Sequence, residues 1–338
     1  MKRPLNIALT YDLRADYLAA GFGDEETAEF DQAGTIDAID GALRELGHRV
    51  ERVGNIRALA RRLVAGDRWE LAFNVCEGLD GFGREAQVPA LLEAYGIPCT
   101  FADPLCASLT LHKGLTKRVL RDCGVPTTPF AVVERAADVD AIDLGFPLFV
   151  KPVAEGTAKG IDGRSRVDDR VALAARCAEI RELFHQPAIV EPYLPGREVT
   201  VGILGTGDLA RVVGALEVKL LDVAEPHSYT YRNKEECEVL CEFPLADAAL
   251  TEQVAPVALA AWRAVLARDG GRVDLRLDAD GRPFVLEVNP LPGMHPSHSD
   301  LPMLCTAVGM RYLELIDAVV SSAALRIDEP RRAARFQG

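Results

Sequence analysis

Four side chains in the last third of the chain have the types and spacing of a cation site. Arg272-Val273-Asp274 and Glu287-Val288-Asn289 lie in two strand-like runs, 272–277 and 283–289, separated by the turn sequence Asp278-Ala279-Asp280-Gly281. A two-residue turn at Ala279-Asp280 sets Arg272 opposite Glu287 and Asp274 opposite Val285. Strand alternation then leaves Arg272, Asp274, Glu287 and Asn289 on one face. Two carboxylates and an amide oxygen are hard donors, suited to one or two Mg²⁺ ions that share their octahedral coordination with substrate phosphates. An exposed hairpin whose acids merely pair with an arginine has the same composition, so the cluster alone leaves both readings open.

Two further segments could act on a nucleotide. Lys151-Pro152-Val153-Ala154-Glu155-Gly156-Thr157-Ala158-Lys159-Gly160-Ile161 reads as a strand end feeding a glycine-containing turn. Gly156 and Gly160 permit close backbone approach to a phosphate, Thr157 offers a hydroxyl and an amide, and Lys151 supplies a point charge. The spacing is not that of a Walker A loop, so an ordinary exposed turn stays open as an alternative. In Glu191-Pro192-Tyr193-Leu194-Pro195-Gly196-Arg197-Glu198 an acid at a strand end and an acid entering the next strand flank a Pro/Gly connector. Such a pair could hold an adenine amine and ribose hydroxyls.

The elements that must position these residues follow from periodicity. Apolar runs at 5–10, 48–53, 70–75 and 97–100 read as strands, and 35–46, 56–64 and 86–95 carry apolar residues at helical spacing. Their alternation predicts an α/β unit with a parallel sheet covered on both faces. A helix is expected over 109–123, a strand over 146–152, a helix over 171–184 and a strand over 188–191. Antiparallel strands are expected at 198–204 and 210–218, then a polar lid at 227–238, a long helix over 250–269 and the hairpin. The division expected is an N-terminal α/β unit at 1–108, a central unit at 109–191 and a C-terminal unit at 192–338.

Composition narrows the classes. The 338 residues are 49% hydrophobic and 26% charged, as in a globular protein, and no apolar run nears the roughly 20 residues of a membrane helix. Asp12 interrupts the apolar stretch behind Lys2 and Arg3 too early for a signal peptide, so a cytoplasmic location is expected. With 38 basic against 51 acidic residues the net charge of −13 opposes binding to nucleic acid. The eight cysteines read as reduced thiols. The closest pair, Cys237 and Cys241, has no second Cys or His pair at zinc spacing.

Taken together and in order, these segments resemble the ATP-grasp superfamily, and within it the D-alanine:D-alanine ligase family, over nearly the whole chain. The matching stretches are 151–161, 191–201 and Arg272-Val273-Asp274 with Leu286-Glu287-Val288-Asn289 and Pro292-Gly293-Met294. The resemblance implies a three-part ATP-grasp fold and an ATP-dependent carboxylate-amine ligase that forms a peptide or other amide bond through an acyl phosphate. ATP and Mg²⁺ are implied, with two ions expected and Mn²⁺ as a substitute, together with amino-acid-like substrates and a homodimer through the N-terminal unit. Lys113 and Lys151 correspond to the lysines on the ATP phosphates, and Glu155, Gly156 and Thr157 to the turn over them. Glu191 and the Leu194 backbone correspond to the adenine contacts, Glu198 to the ribose contact and Lys234 to the lid lysine on the terminal phosphate. Asp274, Glu287 and Asn289 correspond to the magnesium ligands. Arg272 and the Gly293 amide correspond to the groups that steady the acyl phosphate and tetrahedral intermediate.

The departures fall on the substrate side. The family's N-terminal Gly-Gly turn is replaced by Thr10-Tyr11-Asp12-Leu13 and a polar insert, with Glu29 the candidate for the substrate amine. The family's His-Gly becomes Glu77-Gly78, the substrate-pocket serine becomes Thr157, and the lid tyrosine after the lysine falls on Glu235. Ser299 and Asp300 stand where the second substrate is held, in a run one residue longer than usual. Acids at Glu77, Glu235 and Asp300 could pair a cationic or additional amino group, or could be solvated surface acids. Two rival expectations follow: the same chemistry with a different acceptor in specialised metabolism, and a nucleotide-binding regulator without catalysis.

Overall fold

The computed structural model describes residues 3–328. Strands β1 (Asn6–Tyr11), β2 (Arg49–Gly54) and β3 (Leu71–Val75) form a parallel sheet in the order β2-β1-β3. Alternation along β1 sends Ile7 and Leu9 into one core, with Ile36, Ile39 and Leu43 of the helix Ala33–Glu45 and Val319 of the helix Tyr312–Ala324. It sends Ala8 into another, with Leu59 and Leu63 of the helix Ile56–Val64 and Val88 and Leu92 of the helix Gln87–Ala94. Both faces are therefore covered, as expected. The strand expected at 97–100 reduces to one parallel bridge between Ala72 and Cys99, because Phe101 turns the chain away at a φ of 66°.

A second sheet joins β4 (Ala131–Val133), β5 (Leu148–Pro152), β6 (Arg166–Val167) and β7 (Ala188–Pro192) in the order β4-β7-β5-β6, backed by the helix Arg170–Phe184. A third joins β8 (Glu198–Leu204), β9 (Arg211–Leu220), β10 (Cys241–Glu242), β11 (Gly270–Leu277) and β12 (Pro283–Asn289) in the order β10-β9-β8-β11-β12. Its core includes Val201, Val273, Val285 and Trp262, the last from the helix Ala248–Ala264. Both sheets are antiparallel, and the architecture is mixed α/β with three sheets.

Three expectations need correction. The helix expected over 109–123 is two helices, Pro104–Leu111 and Lys113–Asp122, broken at His112. His112 leaves helical geometry (φ −89°, ψ 92°) and its Nδ1 accepts the Leu115 amide at 3.2 Å, acting as the N-cap of the second helix. The helix expected over 250–269 ends at Ala264, since Leu266 and Asp269 take positive φ and Asp269 is drawn into an ion pair with Arg326. In the hairpin, Arg272 pairs with Asn289 and Asp274 with Glu287, with a register slip between Asp274 and Leu275. Asp278 and Arg282 are hydrogen-bonded at the loop ends and Gly281 takes a φ of 79°, so the connection is longer than a two-residue turn. The shift in pairing is an even number of residues, which leaves all four polar side chains on one face.

Candidate active site

The second and third sheets face each other across a cavity of about 910 Å³. β5 supplies Lys151, β7 Glu191, β8 Glu198, β11 Arg272, Asp274 and Arg276, and β12 Glu287. Lys113 enters as the first residue of its helix and Lys234 from the polar segment expected as a lid, which folds into the short helices Tyr231–Glu235 and Cys237–Leu240.

The acids on this side are compensated. Glu191, 3% exposed, receives Lys117 Nζ at 2.5 Å, Lys151 Nζ at 3.1 Å and Thr128 Oγ1 at 2.7 Å. Burial alone would raise its carboxyl, but the two lysines prevail and hold it at about 2. Lys113 Nζ lies 3.1 Å from Glu287 Oε2 and donates to the Glu155 carbonyl. Burial opposes ionisation of Glu287 as well, and Lys113 and Arg272 overcome it and keep its carboxyl well below the usual range. Asp274 accepts Thr200 Oγ1 at 2.9 Å and pairs with Arg272. Burial keeps Asp274 up at about 6 despite that arginine.

Asp274, Glu287 and Asn289 converge as the hairpin register requires. The Asn289 amide nitrogen stands 3.0 Å from Asp274 and 3.2 Å from Glu287, so one side-chain amide bridges both carboxylates. With a cation between the acids the carbonyl end of that amide is the donor, and the set is then all oxygen, as Mg²⁺ prefers. Farther along β11, Arg276 reaches Glu198 Oε2 at 3.3 Å and the Tyr193 hydroxyl at 3.2 Å, and its guanidinium lies over the Tyr193 ring. Tyr193 and Leu194 form the apolar end of this cavity.

A second cavity, of about 1730 Å³, adjoins the first and shares Lys113, Glu155, Lys234, Arg272, Glu287 and Asp300 with it. Gly156 and Thr157 line this second cavity, whereas Glu155, Ala158 and Ile161 are the turn residues facing the first. Gly156 and Thr157, expected in the turn over the phosphates, thus face the second cavity beside Glu155, which the two cavities share. Ser299 and Asp300 also lie here. Asp300 stands 3.3 Å from Arg272 Nε and 3.8 Å from Lys234 Nζ, tying the arginine to the lid lysine. Ser299 Oγ accepts the His295 amide at 3.0 Å, and a Cβ on Gly293 would meet that oxygen at 2.7 Å, so the loop closes tightly on the glycine.

Glu29, the candidate for the substrate amine, lines the second cavity and is already partnered. Its carboxylate is taken by Arg84 at 2.9 Å, Lys159 at 3.3 Å and the Gly156 amide at 2.5 Å, so it clamps the glycine-containing turn to the N-terminal sheet's loops instead of standing free for an amine. Glu77 and Glu85, by contrast, have no ion-pair partner among the described residues. Burial pushes Glu77 well above the usual carboxylate range and Glu85 up to about 7, and burial with Asp12 nearby raises Asp31 to about 7.

A family model described as the C-terminus of D-Ala–D-Ala ligase matches residues 119–321. The chain belongs to the D-alanine–D-alanine ligase family. A D-alanine–D-alanine ligase of Bordetella petrii is 36% identical over 284 residues, covering 82% of each chain. An uncharacterised protein of Sinorhizobium fredii is 32% identical over 308 residues, 87% of this chain and 89% of its own. The crystal structure of D-alanine–D-alanine ligase from Bacillus anthracis complexed with ATP superposes with a TM-score of 0.71 at 21% identity, over 96% of this chain and 98% of that one, which establishes the ATP-grasp fold.

Some residues of this D-alanine–D-alanine ligase family site were missed in the sequence. Lys117 lies four residues after Lys113, one helical turn on, and Arg276 follows Arg272 and Asp274 at the strand period, so both signals were present. Arg84, Thr128 and Thr200 had none, because their partners are 55 to 74 residues away in sequence.

Proposed function

We propose that this protein is an ATP-dependent carboxylate-amine ligase that forms an amide through an acyl phosphate. The observation that carries the reading is the convergence, in a chain of this family, of Lys113 and Lys151 with Arg272, Asp274 and Glu287 around one cavity, with Asn289 bridging the two carboxylates. Lys151 and Lys113 hold the nucleotide phosphates, Glu198 and the Leu194 backbone hold ribose and base, and Glu191, expected as an adenine contact, also holds Lys151 in place. Asp274, Glu287 and Asn289 would hold Mg²⁺, two ions on this reading, and the bound metal would supply neutralisation of the phosphate charge. Arg272, backed by Asp300, stabilises the charge that develops as the amine attacks the acyl carbon, and the Gly293 amide completes that site. The lid segment, joined to the glycine-containing turn where the Tyr231 amide donates to the Ile161 carbonyl at 3.0 Å, excludes water that would hydrolyse the acyl phosphate. The three units at 1–108, 109–191 and 192–338 supply substrate, lid and catalytic walls, with the N-terminal unit as the surface for a homodimer.

The test is release of ADP and phosphate from Mg²⁺-ATP across D- and L-amino acids, singly and in pairs. Glu287→Gln is expected to lower turnover by ~10³-fold or more while the far-ultraviolet circular dichroism is kept. Turnover undiminished in that variant contradicts the assignment.

A second reading concerns the substrate. The unpaired acids Glu77, Glu85 and Asp31 on the second cavity favour an amino acid carrying a second ammonium group over D-alanine. Comparison of D-alanine with diamino acids in the same assay decides between them.

A further inference from the structure

The lid carries a donor set for which the ligase reaction has no use. Cys237, 4% exposed, opens the helix Cys237–Leu240, and its Sγ lies 3.9 Å from His298 Nδ1. The same Nδ1 lies 2.9 Å from Glu238 Oε1, and the three donor atoms are all within 4.8 Å of one another. Thiolate, imidazole and carboxylate are zinc donors. A tetrahedral zinc ion, with bonds of about 2.3 Å to sulfur and about 2.1 Å to nitrogen or oxygen, spaces its ligands about 3.4–3.6 Å apart. The two separations from His298 Nδ1 bracket that spacing, and the thiol and carboxylate lie within 4.8 Å of each other, so an ion draws the three donors together.

We propose that Cys237, Glu238 and His298 form a zinc site that fastens the lid to the 295–299 loop. The thiolate separates this site from the all-oxygen set of Asp274, Glu287 and Asn289, which suits Mg²⁺. Glu238, His295 and His298 line the second cavity, so the fourth coordination position opens toward the substrate side, where water or a substrate group completes it. The ion binds Cys237 as thiolate and His298 through an unprotonated Nδ1, so the thiol proton and any proton on Nδ1 are released to solvent as it enters. Lys234 lies three residues before Cys237 and Asp300 two after His298, so the bound ion holds the Lys234–Asp300 contact closed. The two halves of the site come from sequence positions 61 residues apart, which is why cysteine spacing alone gave no zinc signal.

Co²⁺ is the probe, titrated into the full-length reduced protein with Mg²⁺ in excess and no nucleotide, and followed by the near-ultraviolet thiolate-to-cobalt charge-transfer band. One equivalent per chain is expected, displaced by Zn²⁺. Cys237→Ser abolishes the band, Cys241→Ser keeps it, and His298→Gln weakens Co²⁺ binding roughly tenfold or more. No band in the wild-type protein, or a band that survives Cys237→Ser, overturns the proposal. Should Cys237→Ser fail to fold, the half-exposed His298→Gln decides: unchanged Co²⁺ affinity there also overturns it. None of these readouts requires turnover, so they stand apart from the outcome of the ligase assay.

Discussion

The two cavities differ in how their charges are balanced. On the nucleotide side Glu191 has two lysines and a threonine, Glu287 has Lys113, and Asp274 has Arg272 and Thr200. In the second cavity Glu29 is spent on the turn, while Glu77 and Glu85 make no direct ion pair among the described residues and burial outweighs the influence of Arg84 on both. The compensated side is pre-organised for a fixed ligand. The other side holds buried acids, Glu77, Glu85 and Asp31, that burial pushes up from the usual carboxylate range.

Removing one cation from the compensated side should have the largest effect on stability. Lys117→Met leaves the buried Glu191 with Lys151 alone and is expected to cost ~3–5 kcal/mol in chemical denaturation, with Lys117→Met/Glu191→Gln recovering part of the loss. A loss below 1 kcal/mol would place Glu191 in contact with water and break the contrast.

The pH dependence of stability sharpens it. Glu191 titrates at about 2 in the folded chain, below its unfolded value, so its contribution is present above about pH 4.5 and is lost as the pH falls toward 2. Linkage puts that contribution at ~3 kcal/mol. Glu85 and Asp31 have the opposite sign. Raised to about 7, each retains its proton in the fold at a pH where the unfolded chain has released it, so stability declines as pH rises from about 4 to 7. Denaturation midpoints across pH should show the acid-side loss vanish in Glu191→Gln and the neutral-side decline flatten in Glu85→Gln.

The turn between the cavities gives a smaller effect. Gly160 takes a φ of 69°, and a Cβ there would stand 2.5 Å from Pro152 Cγ and 2.9 Å from Phe184. Gly160→Ala is expected to cost ~1–3 kcal/mol in thermal or chemical denaturation. The smallest effect expected is in selectivity: Glu85→Gln should shift the kcat/KM ratio of a diamino acid to D-alanine roughly tenfold toward D-alanine, about 1.4 kcal/mol.

How much of this was legible in the sequence follows from the range of each interaction. Strand alternation put Arg272, Asp274, Glu287 and Asn289 on one face even with the pairing wrong, because the error was an even number of residues. The β8 bounds and the two covered faces of the first sheet were also legible, since both rest on local apolar patterning. The break at His112 was not, because a histidine cap competes with a continuous apolar helix pattern and only the folded chain decides. The ion pairs of Glu29 were not legible for another reason. An acid in a polar insert carries no sign of the Arg84 and Lys159 that reach it from distant segments.

The most direct measurement is a competition: the protein with Mg²⁺-ATP and equal concentrations of D-alanine and a diamino acid such as D-2,4-diaminobutyrate, with ADP and amide products quantified together by mass spectrometry. One amide per ADP, with the diamino acid enriched in the product, is the predicted result. D-alanyl-D-alanine as the sole product would contradict the substrate-side reading, and ATP consumed with a phosphorylated acid that survives added amine would contradict the ligase reaction itself.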